Sequence, residues 1–572
     1  MIIKKLSYAV SVFFAIFFYG CPYYQPEAET VPPVKGLVLT EDTLDITSVD
    51  FPEEALTISA GERQKIDFGT DSGKTIKLPK LDNNTVYLVK VNRSGAAVKA
   101  QDTGGHIRTD GERSVLDPVF TEGAGHGETE FALNNGTFIR TEHHPAQEFN
   151  HNPPPPSSST RSLTPALAAS TAQVGDVKPF WVQDKNEKWV QIRAALRATA
   201  NHANVWVAAA NFSNSSRLPI DNKITAQQAQ GVADKFDIIY EKETALFGYE
   251  FGGGLQPSDK NYGGRDGDVK IQILVYDIEY DYSQSQTSGI FGYFWGKDYY
   301  NLAGYPTNLA EIFYIDSHFT DAIPEGIYST LVHEFQHMIN FNERYVKKGK
   351  SSATWFDEML SQIAEDVIDA FIGIDVNNTE HPSIIRIPRF LDTYWGRGFT
   401  EWRNGDLDES LVSYANTYAF GAYLVRNFGG TALVKGIMES NYDNLNAIKA
   451  ALEQRGSSFE EALAQYGEAL VFTDDTHASF NKTATEAING VDYSFVGFNL
   501  WNVRNYSSGQ YYGGKFTYPS KGPVVIDTSF ISSMDPYSIF VQSCAKWKDT
   551  SEALTFKLKK PVDSIDFYIF VK

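Results

Sequence analysis

The sequence predicts an α+β fold, and three patterns carry that prediction. Apolar residues recur at helical spacing in the stretch from 320 to 475, most regularly at Ile327, Leu331, Phe335 and Met338. Short β-rich runs precede them at Trp189–Arg193, Val205–Val207 and Val269–Val275, with Ile312–Asp316 just before the first helix. These suffice for a mixed sheet beside a helical subdomain. Alternating runs also appear near both ends, at Thr85–Val91 and Ser564–Lys572, so N- and C-terminal β domains are expected to flank the central unit. At 572 residues the chain is long enough for several cores.

In chain order, residues 1–20 read as an export signal. Lys4 and Lys5 precede an apolar run over 6–20 that is shorter than a membrane span requires. Gly20-Cys21 resembles a bacterial lipobox, although Phe18 and Tyr19 are bulkier than usual there. Cys21 is then the expected acylated first residue of the mature chain, with a plain secreted protein as the alternative. Residues 21–35 form a tether, 36–148 the N-terminal β domain, and 149–176 a linker containing Pro153–Pro156 and Ser157–Ser159. Residues 177–475 form the central domain, with a helix near 224–246, and 485–572 the C-terminal β domain.

The chemistry is concentrated in His333-Glu334-Phe335-Gln336-His337. Helical residues four apart share a face, so His333 and His337 can hold one Zn²⁺ as neutral imidazoles. Glu334, between them, can reach a water on the metal and act as general base. Pro324 and Gly326 give the helix a start, and neither Pro nor Gly interrupts 327–346. The bland alternative is a buried helix whose imidazoles bond backbone or carboxylate groups.

A catalytic zinc takes three protein ligands and keeps one open position. The third is expected from 354–368, where Trp355, Met359, Ile363 and Val367 mark the apolar side of a second helix. Glu358, Ser361, Gln362 and Glu365 share another side. Glu358 is the expected ligand, 358 − 337 = 21 positions after the second His. Thr354 and Asp357 are expected to cap the helix. Gln362 and Glu365 are expected to orient the imidazoles through their free ring N–H groups, with Asp366 as a further candidate. Isolated His318 and His381 read as ordinary hydrogen-bonded residues.

H-E-x-x-H followed by Trp355-Phe356-Asp357-Glu358 resembles the gluzincin metallopeptidases, in which a W-L-N-E-G-like motif carries the third ligand. HEFQHMINF with FDEMLSQIAED is most similar to the hyicolysin-type family, peptidase family M30, over about residues 178 to 470. Asp357 stands where the motif has Asn, and Met359 where it has Gly. The resemblance implies a gluzincin-like metallopeptidase domain holding one catalytic Zn²⁺ and acting on polypeptides. It also implies an oxyanion donor downstream of the third ligand. Tyr418, opening a helix that ends at Gly429, is the expected donor, and Tyr414 the second choice.

The formal charge is −21, or −23 once Lys4 and Lys5 leave with the signal. That balance argues against nucleic acid and anionic lipid surfaces as partners. Contact with a membrane is expected only through the lipid at Cys21, placing the protein at the bacterial cell envelope; the oligomeric state is left open, with a monomer favoured. If Cys21 is acylated, Cys544 has no intramolecular partner. Asp266 and Asp268, in Gly264–Asp268, could serve Ca²⁺, though a plain turn is the simpler reading. Two other functions remain open: a surface adhesin that keeps the fold without turnover, and a peptidase specialised for glycoproteins.

Overall fold

The computed structural model describes residues 39–41, 50–81, 84–107, 139–141, 146–153, 172–214, 221–301, 306–404, 407–506, 511–512, 516–517, 521–527, 530–543 and 553–572. The signal, Cys21 with the tether, and Cys544 lie outside the described residues. Among the described residues, no helix is long and apolar enough to cross a membrane.

A six-stranded mixed sheet organises the central region. Its strands are β1 (Val177–Gln183), β2 (Trp189–Thr199), β3 (Ala203–Ala208), β4 (Ile271–Tyr276), β5 (Gly292–Phe294) and β6 (Ile312–Asp316), in spatial order β5-β6-β4-β3-β2-β1. Strands β3, β4 and β6 run parallel. The edge strand β5 runs antiparallel to β6, with Tyr293 opposite Tyr314. All six residues of β4 are buried, as a strand covered on both faces must be.

Five helices matter for the site: α1 (Ala146–His151), α2 (Ala226–Phe247), α3 (Pro324–Asn340), α4 (Thr354–Ile372) and α5 (Leu407–Asn427). A reciprocal Thr225–Gln228 capping box starts α2. The Phe236 ring of α2 packs between Phe313 of β6, at 5.5 Å, and Phe335 of α3, at 5.0 Å. The stripe Ile327, Leu331, Phe335 and Met338 is wholly buried, so α3 is held by its apolar face under the sheet. Beyond Asn340 the α-helix widens into a π-helical turn, Phe341–Val346, before the basic loop. Strand β5 approaches α3 closely at Gly292, where a Cβ would come within 2.7 Å of Thr330 Cγ2.

Three local expectations need correction. Helix α4 starts without a side-chain cap, because Ala353 holds the cap position and Thr354 is already the first helical residue, while the Asp357 carboxylate bonds His337 and Asn340. Tyr418 does not open its helix: α5 begins at Leu407 and places Tyr418 in mid-helix. The two terminal β stretches also do not form separate sheets. Val86–Asn92 lies between Ile539–Ser543 and Ile565–Val571, while Leu554–Lys559 lies between Gly73–Leu78 and Gly105–Ile107. Ile76, Leu88, Phe556 and Ile569 from both ends share one apolar cluster. Short alternating runs specify a half-buried strand but not its partner, so sequence order alone suggested two units.

Candidate metal centre

Helices α3 and α4 pack side by side and bring three potential ligands together. One ligand atom from each of His333, His337 and Glu358 lies within 4.8 Å of the other two. His333 Nε2 is 3.1 Å, and His337 Nε2 3.6 Å, from the same oxygen, Oε2 of Glu358. His333 and Glu358 are fully buried. Burial alone would raise the Glu358 carboxyl, but the two imidazoles outweigh it and hold the group well below the usual carboxylate range. Two imidazole nitrogens and a carboxylate facing one point match the donor set of a catalytic zinc.

Both imidazoles are oriented from behind. The Nδ1–H of His333 donates to Glu365 Oε1 at 2.5 Å. His337 Nδ1 lies 3.0 Å from Asp357 Oδ2 and 3.1 Å from Ser361 Oγ. Each Nδ1–H held by a carboxylate leaves the Nε2 lone pair free for a metal. Glu365 is fixed in turn by Ser329 Oγ at 3.1 Å, and Asp357 by the Asn340 amide. Asp357 had been assigned only to capping. The signal that could have found it is its place beside Glu358, on the turn of α4 facing α3.

Glu334 is 3% exposed and lines the same cleft as the three ligands, together with Gly292, Tyr293 and Phe294 of β5. A Cβ on Gly292 would lie 3.4 Å from Glu334 Cγ, so the side chain runs along the edge strand. From there a carboxylate can serve a water in the cleft without joining the ligand set.

Other expected residues lie elsewhere. Gln362 donates to the Glu358 backbone carbonyl of its own helix, at 3.1 Å, and no bond to an imidazole is seen. Tyr418 donates to Asp366 Oδ2 at 3.0 Å, and Asp366 is also paired with buried Arg426 at 2.7 and 2.8 Å. That network lies on the α4–α5 contact, so Tyr418 is not brought to the cleft. Tyr414 is closer to it: its hydroxyl accepts from Gln147 Nε2 at 2.8 Å, and the same amide nitrogen donates to Glu358 Oε1 at 2.7 Å. His318 bonds the carbonyls of Asp221 and Gln286, and His381 caps the turn at Ser383. Asp266 Oδ1 accepts from Asp268 N, while Asp268 accepts from Lys270 N and Asn204 Nδ2, which ties both into a turn.

Helix α1 escaped the sequence reading. Gln147, Asn150 and His151 line the cleft beside the ligands, although they fall at the expected boundary between the N-terminal domain and the linker. No periodic or motif signal marks a helix of only six residues.

The peptidase M30 family profile matches residues 184–486, just over half of the chain. The neutral metalloprotease ShpI of Staphylococcus hyicus is 28% identical over 305 residues, which cover 50% of this chain and 60% of that protein. The match thus spans less than two thirds of the relative's length. With β2 through α5 inside the matched span, and all three potential ligands with them, this chain belongs to the peptidase M30 family.

Proposed function

We propose that the protein is an exported, lipid-anchored zinc metallopeptidase of gluzincin type that hydrolyses polypeptides. The observation that carries this reading is the convergence of His333 Nε2, His337 Nε2 and Glu358 Oε2, with the Glu334 side chain in the same cleft.

Bound zinc supplies a Lewis acid that polarises the scissile carbonyl and lowers the pKa of water to about 7. His333, His337 and Glu358 would hold it, while Glu365 and Asp357 would keep the two imidazoles in the ligating tautomer. Glu334 takes the proton of the attacking water and passes it to the leaving amine. The Glu334 side chain has little solvent contact and runs along β5. Tyr414 replaces Tyr418 as the oxyanion donor in this reading, because its hydroxyl is one side chain removed from Glu358. The Arg386 guanidinium lies 4.7 Å over the Tyr414 ring and helps to fix it.

Export and anchoring rest on Lys4, Lys5, the apolar run and Gly20-Cys21. The net charge of −21 disfavours nucleic acid as a partner. The test is casein hydrolysis by purified protein together with metal analysis. The expected result is one zinc per chain, with activity lost to a chelator and restored by zinc. Hydrolysis that persists in a metal-free protein would refute the reading.

A further inference from the structure

Helix α1 lines the cleft beside His333, His337 and Glu358, and it bonds the edge of the sheet there. Its Asn150 amide pairs with the outer edge of the sheet: Nδ2 donates to the Phe294 carbonyl at 2.8 Å, and Oδ1 accepts from the Gly296 N–H at 2.7 Å. Edge strands offer such backbone groups to an incoming chain. His151 is fastened on the far side, its Nδ1–H donating to the Ser352 carbonyl at 3.1 Å. Burial keeps that imidazole below its ordinary pKa, and so neutral. One turn before these two anchors, Gln147 reaches Glu358.

The Gln147 amide is only half used. Its Nε2 donates to Glu358 Oε1 and to the Tyr414 hydroxyl. Its carbonyl oxygen, Oε1, is buried without a hydrogen-bond partner. Buried amide oxygens normally find a partner. Here the oxygen belongs to an amide already bonded to one ligand carboxylate, in a cleft also lined by His333 and His337. A metal on three protein ligands has a fourth position to fill.

We propose that Gln147 Oε1 is an intramolecular fourth ligand of the metal held by His333, His337 and Glu358, and that α1 thereby keeps the site closed to substrate. The proposal rests on the metal-site reading above. It makes the described conformation a latent one: Gln147 occupies the open position, Asn150 occupies the edge of β5, and turnover requires α1 to leave both.

The test uses the full chain loaded with Co²⁺, whose visible spectrum reports coordination, titrated with acetohydroxamate as a small probe of the open position. Hydrolysis of a fluorogenic peptide by the zinc forms is measured alongside. Gln147→Ala should bind acetohydroxamate roughly tenfold more tightly than the unaltered chain, because the competing internal ligand is gone. Asn150→Ala, which loosens α1 without touching the metal, should shift the affinity in the same direction by a smaller factor. Peptide hydrolysis should rise in parallel in both. If Gln147 only steadies Glu358, its removal weakens metal and probe binding instead, which overturns the proposal, as does unchanged probe affinity in both folded variants. Tighter probe binding without peptide hydrolysis in any of the proteins would support the closure and overturn the peptidase reading. A chain that takes up no cobalt would overturn both.

Discussion

Asp357 Oδ2 lies 3.0 Å from His337 Nδ1, while the other oxygen of the same carboxylate accepts from the Asn340 amide. The residue immediately before one candidate ligand, Glu358, therefore orients another, His337. Asp357→Ala should weaken zinc binding by about 10–100-fold, the usual cost of losing such a partner. Asp357→Asn, which keeps a side-chain acceptor, should lose much less. Competition with a chelating dye checks both, and equal affinities for all three proteins would remove Asp357 from the account.

The two tyrosines separate structure from chemistry. Tyr418→Phe deletes a bond to the Asp366 carboxylate and should cost about 1.5–3 kcal/mol of stability in urea titrations, with kcat unchanged. Tyr414→Phe should instead lower kcat by about 10²–10³-fold. The reverse pattern would return the oxyanion role to Tyr418.

Asp366 holds Arg426 inside the α4–α5 contact, and both side chains are almost wholly buried. The Arg426 guanidinium is disfavoured by burial, but Asp366 outweighs this and raises its pKa. Asp366→Ala leaves that charge unpaired and should destabilise the fold by about 3–5 kcal/mol. A loss below about 1 kcal/mol in chemical denaturation would show that water reaches Arg426.

Glu250 carries a pH dependence. Burial pushes its carboxyl from the ordinary 4.5 up to about 7, with Tyr240 donating to Oε1 at 3.0 Å. A carboxyl raised in the folded state contributes stability that is fully present below its unfolded value and is lost as pH rises through the folded one. The contribution should therefore fade between about pH 4.5 and 7, by about 3 kcal/mol in all. Glu250→Gln should flatten the stability curve over that window. Parallel curves for the two proteins would contradict the assignment.

The convergence of His333, His337 and Glu358 was legible because helical geometry converts spacing into position. His333 and His337 must share a face of α3, and the apolar stripe through Phe335 decides which face is buried. Glu358 and Glu365 were legible for the same reason on α4. Residues whose roles depend on packing between elements were not. Gln362 and Glu365 share a side of α4, yet only Glu365 reaches an imidazole, because the crossing of α3 over α4 decides which turn faces the site. Tyr414 and Tyr418 are likewise one turn apart on α5, and the contact with α4 takes Tyr418 away. Gln147 was out of reach, since it comes to Glu358 from 211 positions away along the chain. The joint terminal sheets were hidden similarly, because Val86–Asn92 and Ile565–Val571 pair across almost the whole sequence.

The role of Glu334 as proton carrier of a zinc peptidase is tested most directly by Glu334→Gln. The measurement is the rate of peptide hydrolysis by the variant, taken beside its zinc content. The expected result is unchanged zinc stoichiometry with hydrolysis reduced by at least about 100-fold. A zinc-loaded Glu334→Gln protein that cleaves peptide at the unaltered rate would contradict it.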